Sequence, residues 1–121
     1  MELEESKSYK IARKFIGKKV KVVIDRPLGS KHEKFQYIYE VNYGFIPNTM
    51  SPDNKELDAY YLSADKPLDK AEGIAIAIAH RADDDDDKLV VVAEGEEISD
   101  KEIMKKINFQ EKFFQSTIFR K

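Results

Sequence analysis

NYGFIPNTMSPDNKELD, residues 42–58, is the stretch on which the reading of this chain turns. It follows an aromatic and β-branched run (FQYIYEV, residues 35–41) and passes through Gly44, Pro47 and Pro52. It then delivers two aspartates, Asp53 and Asp58, to the start of an apolar run, LDAYYL. A second acidic loop, residues 83–87, leads directly into Lys88. Carboxylates gathered on strand-connecting loops with a lysine beside them suit hard cations and a phosphate-bearing ligand.

Outward from that stretch, period-two patterning predicts strands at 18–25, 35–41, 57–63, 73–80 and 88–93. The IAIAIAH run alternates large and small apolar residues, as a strand does when both share a core. Residues 26–34 read as a loop around Pro27, Gly29 and Ser30. Residues 42–56 read as a long loop, and loops of that length in a small domain are usually functional. Residues 9–16 fit either a short helix or a leading strand. Ser99 with Glu102 three residues on makes a capping box, so a C-terminal helix should start there and turn Ile103, Ile107 and Phe114 inward. The expectation is a mainly β fold: a small, OB-like five-stranded barrel with a C-terminal helix. A chain of 121 residues reads as a single domain, 1–121, with residues 1–8 frayed.

Composition narrows the chemistry. A formal charge of −2, with 21 basic and 23 acidic residues, gives no general attraction to nucleic acid or to an anionic membrane. No apolar run is long enough for a membrane span, and the first residues carry no apolar signal, so a cytoplasmic protein is expected. Without cysteine there is no thiolate ligand or nucleophile, and two histidines, His32 and His80, make no zinc motif. Any metal must be held by oxygen, which favours Mg2+, Mn2+ or Ca2+.

The candidate residues each have a plainer reading. Asp53 and Asp58 either converge on one cation or simply mark a turn and a strand end. Asp83 or Asp86 would complete a cation site if the aspartate run folds toward Asp53; otherwise the run is a solvated turn. Lys31, Lys34, Arg81 and Lys88 are the basic candidates for a bound dianion. Tyr39 and Tyr43, four apart, share a face in an extended segment, either bonding phosphate or packing as core aromatics with wet tips. Asp25 is a supporting carboxylate or a turn starter. No serine elbow, Walker loop or dinucleotide fingerprint is present. This toolkit suits metal-assisted hydrolysis of a small phosphoanhydride.

VVIDRP (22–27), YIYEVNYGFIPNTMSPDNKELDAY (37–60) and ADDDDDKLVVV (82–92) together resemble the core of the soluble, family I inorganic pyrophosphatases. The resemblance runs from Val20 to Phe114 and is most specific at the NYG tract and the aspartate element behind it. It implies a five-stranded OB-like barrel with helices, magnesium dependence and hydrolysis of pyrophosphate to phosphate. Carried across by position, it makes Asp53, Asp58, Asp83 and Asp86 metal ligands. Lys34, Tyr43 and Lys88 fall on phosphate-contacting positions, Tyr39 on a nearby active-site tyrosine, and Asp25 where the family has a glutamate. It also implies a homo-oligomer.

Three departures pull the other way. Lys55 stands where the family has an aspartate that helps deprotonate water, and Phe113–Phe114 replace a Tyr-Lys pair that grips phosphate. A hairpin carrying a phosphate-binding arginine is missing, with Arg26, Lys31 or Arg81 as stand-ins. The rival expectation is therefore a catalytically weakened barrel that binds metal or phosphate as a sensor, or serves as a partner-binding subunit.

Overall fold

The computed structural model of the chain describes residues 7–47, 56–82 and 86–120. Asp53, Lys55 and Asp83 lie outside the described residues. Elements follow in the order α1 (Lys7–Arg13), β1 (Lys19–Arg26), β2 (Asn42–Ile46), β3 (Leu57–Tyr61), β4 (Lys70–Arg81), β5 (Lys88–Val92), α2 (Asp100–Glu111) and β6 (Ser116–Phe119). Strands pair in the order β1-β2-β3-β5-β4, and β4 pairs back with β1, closing a five-stranded barrel. Every barrel pairing is antiparallel except β3 with β5.

Alternation along each strand sorts the core into two layers. Val20, Val22 and Ile24 of β1, Leu57 and Ala59 of β3, and Leu89 and Val91 of β5 form one cluster, joined by Tyr9 and Ala12 of α1. Tyr60 of β3 and Val90 and Val92 of β5 face the other way and pack against Ile103, Ile107 and Phe109 of α2. β5 is buried along its whole length because both its faces are covered. The alanines of β4 do not share one face. A register shift between Ala75 and Ala77 turns the strand over, sending Ala75 and Ile78 to the first cluster and Ala77 and Ala79 to the second.

Two strand expectations move. Residues 35–41 form no strand. Their backbone pairs within its own loop, Tyr39 N donating to Ser30 O, Gly29 N to Tyr39 O and His32 N to Tyr37 O, with only an isolated bridge between Lys31 and Ile38. The β2 strand instead occupies the first five residues expected to be loop. The NYG tract explains why. Asn42 is fully buried; its side-chain oxygen accepts from Leu28 N and Leu68 N, and its amide donates to Lys66 O, so one side chain ties two loops. Tyr43 turns to the opposite face. Gly44 lies against the β1 backbone so closely that an added Cβ would sit 1.8 Å from Val23 O. The N-terminal ambiguity resolves as helix α1. Ser99 caps α2 by accepting from Glu102 N, but the helix ends at Glu111, leaving Phe114 beyond it. β6 was not anticipated.

The end of α2 is fastened to the barrel by a buried polar network. Arg81 at the end of β4 donates through Nε and Nη2 to both Glu111 oxygens, at 3.1 and 2.9 Å. Tyr60 of β3 and Ser116 of β6 donate to the same carboxylate. Gln110 donates to the Tyr60 hydroxyl and accepts from Tyr37. Burial alone would raise the Glu111 carboxyl, but donation from Arg81, Ser116 and Tyr60 outweighs it and holds the group below its ordinary 4.5. Burial likewise works against the Arg81 charge, and Glu111 more than offsets it.

Two stability predictions follow from these contacts. Gly44→Ala should lower the unfolding free energy by roughly 3 kcal/mol, because only backbone movement can admit the methyl group; urea denaturation measures it. Glu111→Gln, which leaves the buried Arg81 with only the half-exposed Asp86 as counter-charge, should cost about 3 kcal/mol. A depressed carboxyl stabilises the fold at pH above its unfolded value and loses that contribution as pH falls through its folded one. The native chain should therefore lose stability progressively below pH 4.5, and the Glu111→Gln variant less steeply.

Candidate active site

At the barrel end where β1 finishes and β3 and β5 begin lies an open cavity of about 580 Å³. Local sequence features aim its side chains. β1 and β2 are out of register between Ile24 and Arg26, so Asp25 is an extra, bulged residue, and both Asp25 and Arg26 line the cavity. Bulges beside sites commonly re-aim a side chain in this way. The parallel register Ala59↔Leu89 sets Asp58 and Lys88, thirty residues apart in sequence, next to each other. Lys88 Nζ donates to Asp58 Oδ2 at 2.7 Å and to Asp86 Oδ1 at 2.6 Å, with only 3 % of its side chain exposed. The two acidic segments thus meet on one ammonium.

The described part of the aspartate run divides its labour between neighbours. Asp87 is buried and accepts from Arg81 N and pairs with His80 Nδ1, which pins the run to β4. Asp86, one residue earlier, faces the cavity and accepts from Arg81 Nη1 at 3.2 Å as well as from Lys88. Arg81 thereby links Glu111 at the end of α2 to Asp86, while its guanidinium lies 3.7 Å from the Phe114 ring centroid. All three of its nitrogens have partners.

The tyrosines are brought together by stacking across the 27–41 loop, not by a shared strand. The Tyr39 and Tyr43 rings lie 5.6 Å apart at 28°, and the Lys88 ammonium sits 5.8 Å from the Tyr43 centroid. Burial, then Asp58 and the neighbouring Tyr60 and Asp86, push the Tyr43 hydroxyl well above its ordinary value, so it remains a hydrogen-bond donor at any working pH. Burial also raises the Asp25 carboxyl, with Arg26 opposing and Asp58 adding.

Not every candidate converges. Lys34 is exposed outside the cavity lining, its ammonium 5.5 Å from the Phe35 ring. Lys31 sits on the isolated bridge of the loop. His32 and His80, to which the sequence suggested no chemistry, both have structural work. His32 lines the cavity and accepts from Lys34 N and Phe35 N, and His80 holds Asp87. The sequence reading also passed over Glu111, Gln110 and Tyr37. A signal existed for the first two: counting four from Ile107 and seven from Ile103 puts Glu111 and Gln110 on the inward face of α2.

Among the described residues no three carboxylate or imidazole groups already form a cation site. The donor set nonetheless fits a hard divalent ion. Three carboxylates, Asp25, Asp58 and Asp86, line the cavity with three cations, Arg26, Arg81 and Lys88, so its described charges balance. The lining offers hard oxygen donors and no sulfur, as such an ion prefers.

A family model for inorganic pyrophosphatase matches residues 3–118. No curated protein matches the chain at a significant level. Among solved structures, the inorganic pyrophosphatase of Ehrlichia chaffeensis superposes with a TM-score of 0.62 at 16% identity, covering 81% of this chain and 82% of that one. That of Neisseria gonorrhoeae gives 0.58 at 23% identity, covering 77% and 72%. An inorganic phosphatase of Anaplasma phagocytophilum gives 0.50 at 25% identity, covering 62% of this chain, which spans 56% of that protein's length. The structural likenesses agree on a barrel of this type, and the family model extends over nearly the whole sequence. The chain belongs to the inorganic pyrophosphatase family.

Proposed function

We propose that this cavity binds Mg2+, with Mn2+ as an alternative, and hydrolyses inorganic pyrophosphate or a related small phosphoanhydride to phosphate. The observation that carries the reading is the meeting of Asp58 and Asp86 on the Lys88 ammonium inside an oxygen-rich cavity. Asp58 and Asp86, with Asp53 and Asp83 from segments outside the described residues, would hold the metal. When bound, magnesium supplies positive charge to the phosphoryl oxygens.

The chain's own groups supply the rest. An ammonium has three N–H donors, and Lys88 spends two on carboxylates, leaving one to meet a phosphate oxygen. Tyr43, kept protonated, donates beside it, and Tyr39 borders the same space. Lys34, which the family resemblance makes a phosphate contact, lies outside the cavity lining and would have to swing inward to reach one. Arg81 acts chiefly by holding Asp86 in place. Water adds to one phosphorus, the bridging P–O bond breaks, and its electron pair stays on the departing phosphate. A raised carboxyl accepts a proton more readily than an ordinary one, which suits Asp25 to take the proton that water gives up.

Phosphate release from pyrophosphate, measured with and without Mg2+, tests the reading. Turnover should require the metal. Asp58→Asn and Lys88→Met should each lower kcat roughly 10³-fold, as loss of a positioned charged group does, while Lys105→Ala on the exposed face of α2 should match the native chain. Metal binding without turnover would support the sensor reading instead. Lys55→Asp, restoring a carboxylate where the family has one, should raise kcat about a hundredfold; no change would remove any role for that position. The reading also assigns the enzyme to the cytoplasm, which cell fractionation checks, and allows a homo-oligomer, which sedimentation at several protein concentrations checks.

A further inference from the structure

The mouth of the cavity is aromatic in a way that pyrophosphate cannot use. Phe35 and Phe113 both line it and are 62% and 57% exposed. One exposed phenyl ring is ordinary, but these two lie 6.3 Å apart at 23°, and Tyr37 lies 5.6 Å from Phe113 at 25°. The backbone is shaped to present Phe35. The turn before it is held by His32 Nδ1, and Gln36 directly after it adopts φ +66°, a conformation uncommon for a residue with a Cβ. Such strain is characteristic of functional loops. An ammonium flanks each ring, Lys34 at 5.5 Å from Phe35 and Lys112 at 5.4 Å from Phe113.

A ring platform with ammonium groups beside it, opening onto the proposed phosphate floor, matches a ligand with a flat base at one end and phosphates at the other. Bases stack on aromatic side chains whatever their identity, because each has a π-face. From this geometry we infer that the site takes nucleoside triphosphates as substrates, with the base on Phe35 and Phe113 and the phosphates over Lys88. The inference rests on the hydrolase reading of the same cavity. Water adds to the terminal phosphorus, and the bridging P–O bond breaks with its electron pair on the nucleoside diphosphate. The water's proton passes through Asp25 to the leaving oxygen, giving nucleoside diphosphate and phosphate.

The test compares ATP with inorganic tripolyphosphate, which carries the same phosphates and no base. Both are assayed by phosphate release with Mg2+, for the native chain and for the Phe35→Ala/Phe113→Ala double variant. The native chain should favour ATP in kcat/KM, and the variant should lose that preference by about tenfold. Both rings are exposed, and a thermal melt confirms that the variant folds. Equal kcat/KM for the two compounds in the native chain, or a ratio the variant leaves unchanged, overturns the inference. An unchanged ratio with loss of self-association overturns it in favour of a second copy of the chain on these rings. If the protein turns over no phosphoanhydride, the hydrolase reading fails separately, and calorimetric titration decides the platform alone. Tighter binding of ATP than of tripolyphosphate, abolished in the double variant, supports it, and equal binding refutes it.

Discussion

A lysine almost wholly removed from water, held between carboxylates of two different segments, organises this molecule. Lys88 could not be buried there as a charge without Asp58 and Asp86, since an uncompensated ammonium in such a place carries a large desolvation cost. The ion triad therefore requires β3 and β5 to lie side by side in parallel register. It also requires the acidic segment between β4 and β5 to bend over the end of the barrel. The same charges make the place useful. Carboxylates that need a cation when the site is at rest are ready to take another, and an ammonium with a donor to spare is ready for an anion.

Behind the triad stands a second, drier layer. Arg81 reaches from Glu111 to Asp86, so the last turn of α2 and the cavity-facing aspartate share one guanidinium. Breaking it would leave several charges stranded, whereas complete it fixes the position of Asp86 through contacts with three strands and a helix. Asp86 and Asp87 show how adjacent identical residues acquire different tasks. Backbone direction sends one into the protein to brace the segment and the other out to the cavity.

Much of this was legible in the sequence, and what was not has physical causes. β1 was visible because one-sided burial leaves a period of two, and β4 because its sequence alternates Ile with Ala although its burial does not. β5 was visible as a short apolar run, and α2 by its cap. The segment 35–41 misled because aromatic and β-branched residues favour any half-buried extended backbone, and here that backbone bonds to its own loop. β2 was hidden by its glycine and its buried asparagine, residues chosen for close approach and for tying loops, not for strand propensity. The partnership of Asp58 with Lys88 depends on parallel pairing between strands distant in sequence, which no local pattern encodes. The bulge that turns Asp25 and Arg26 together into the cavity is likewise a property of the pairing, not of the residues. Phe113 was legible only as a departure from the family pattern, and Phe114 also as an inward helical position that the helix stops short of; their ring contacts and their place at the cavity needed coordinates.

Among the described strands β4 is the longest, and it outruns its neighbour: β1 pairs only with Lys70–Ile74. Beyond Ala75, which still bonds Lys18 O and Gly17 N, its far edge would present amides and carbonyls to any passing extended chain. The four residues of β6 come back to cover Ile78–Arg81. They replace a long, flat edge by a short one, which recruits other chains poorly. The segment after α2 thus packs Ile118 and Phe119 on the core and at the same time shortens the edge left open to strand addition.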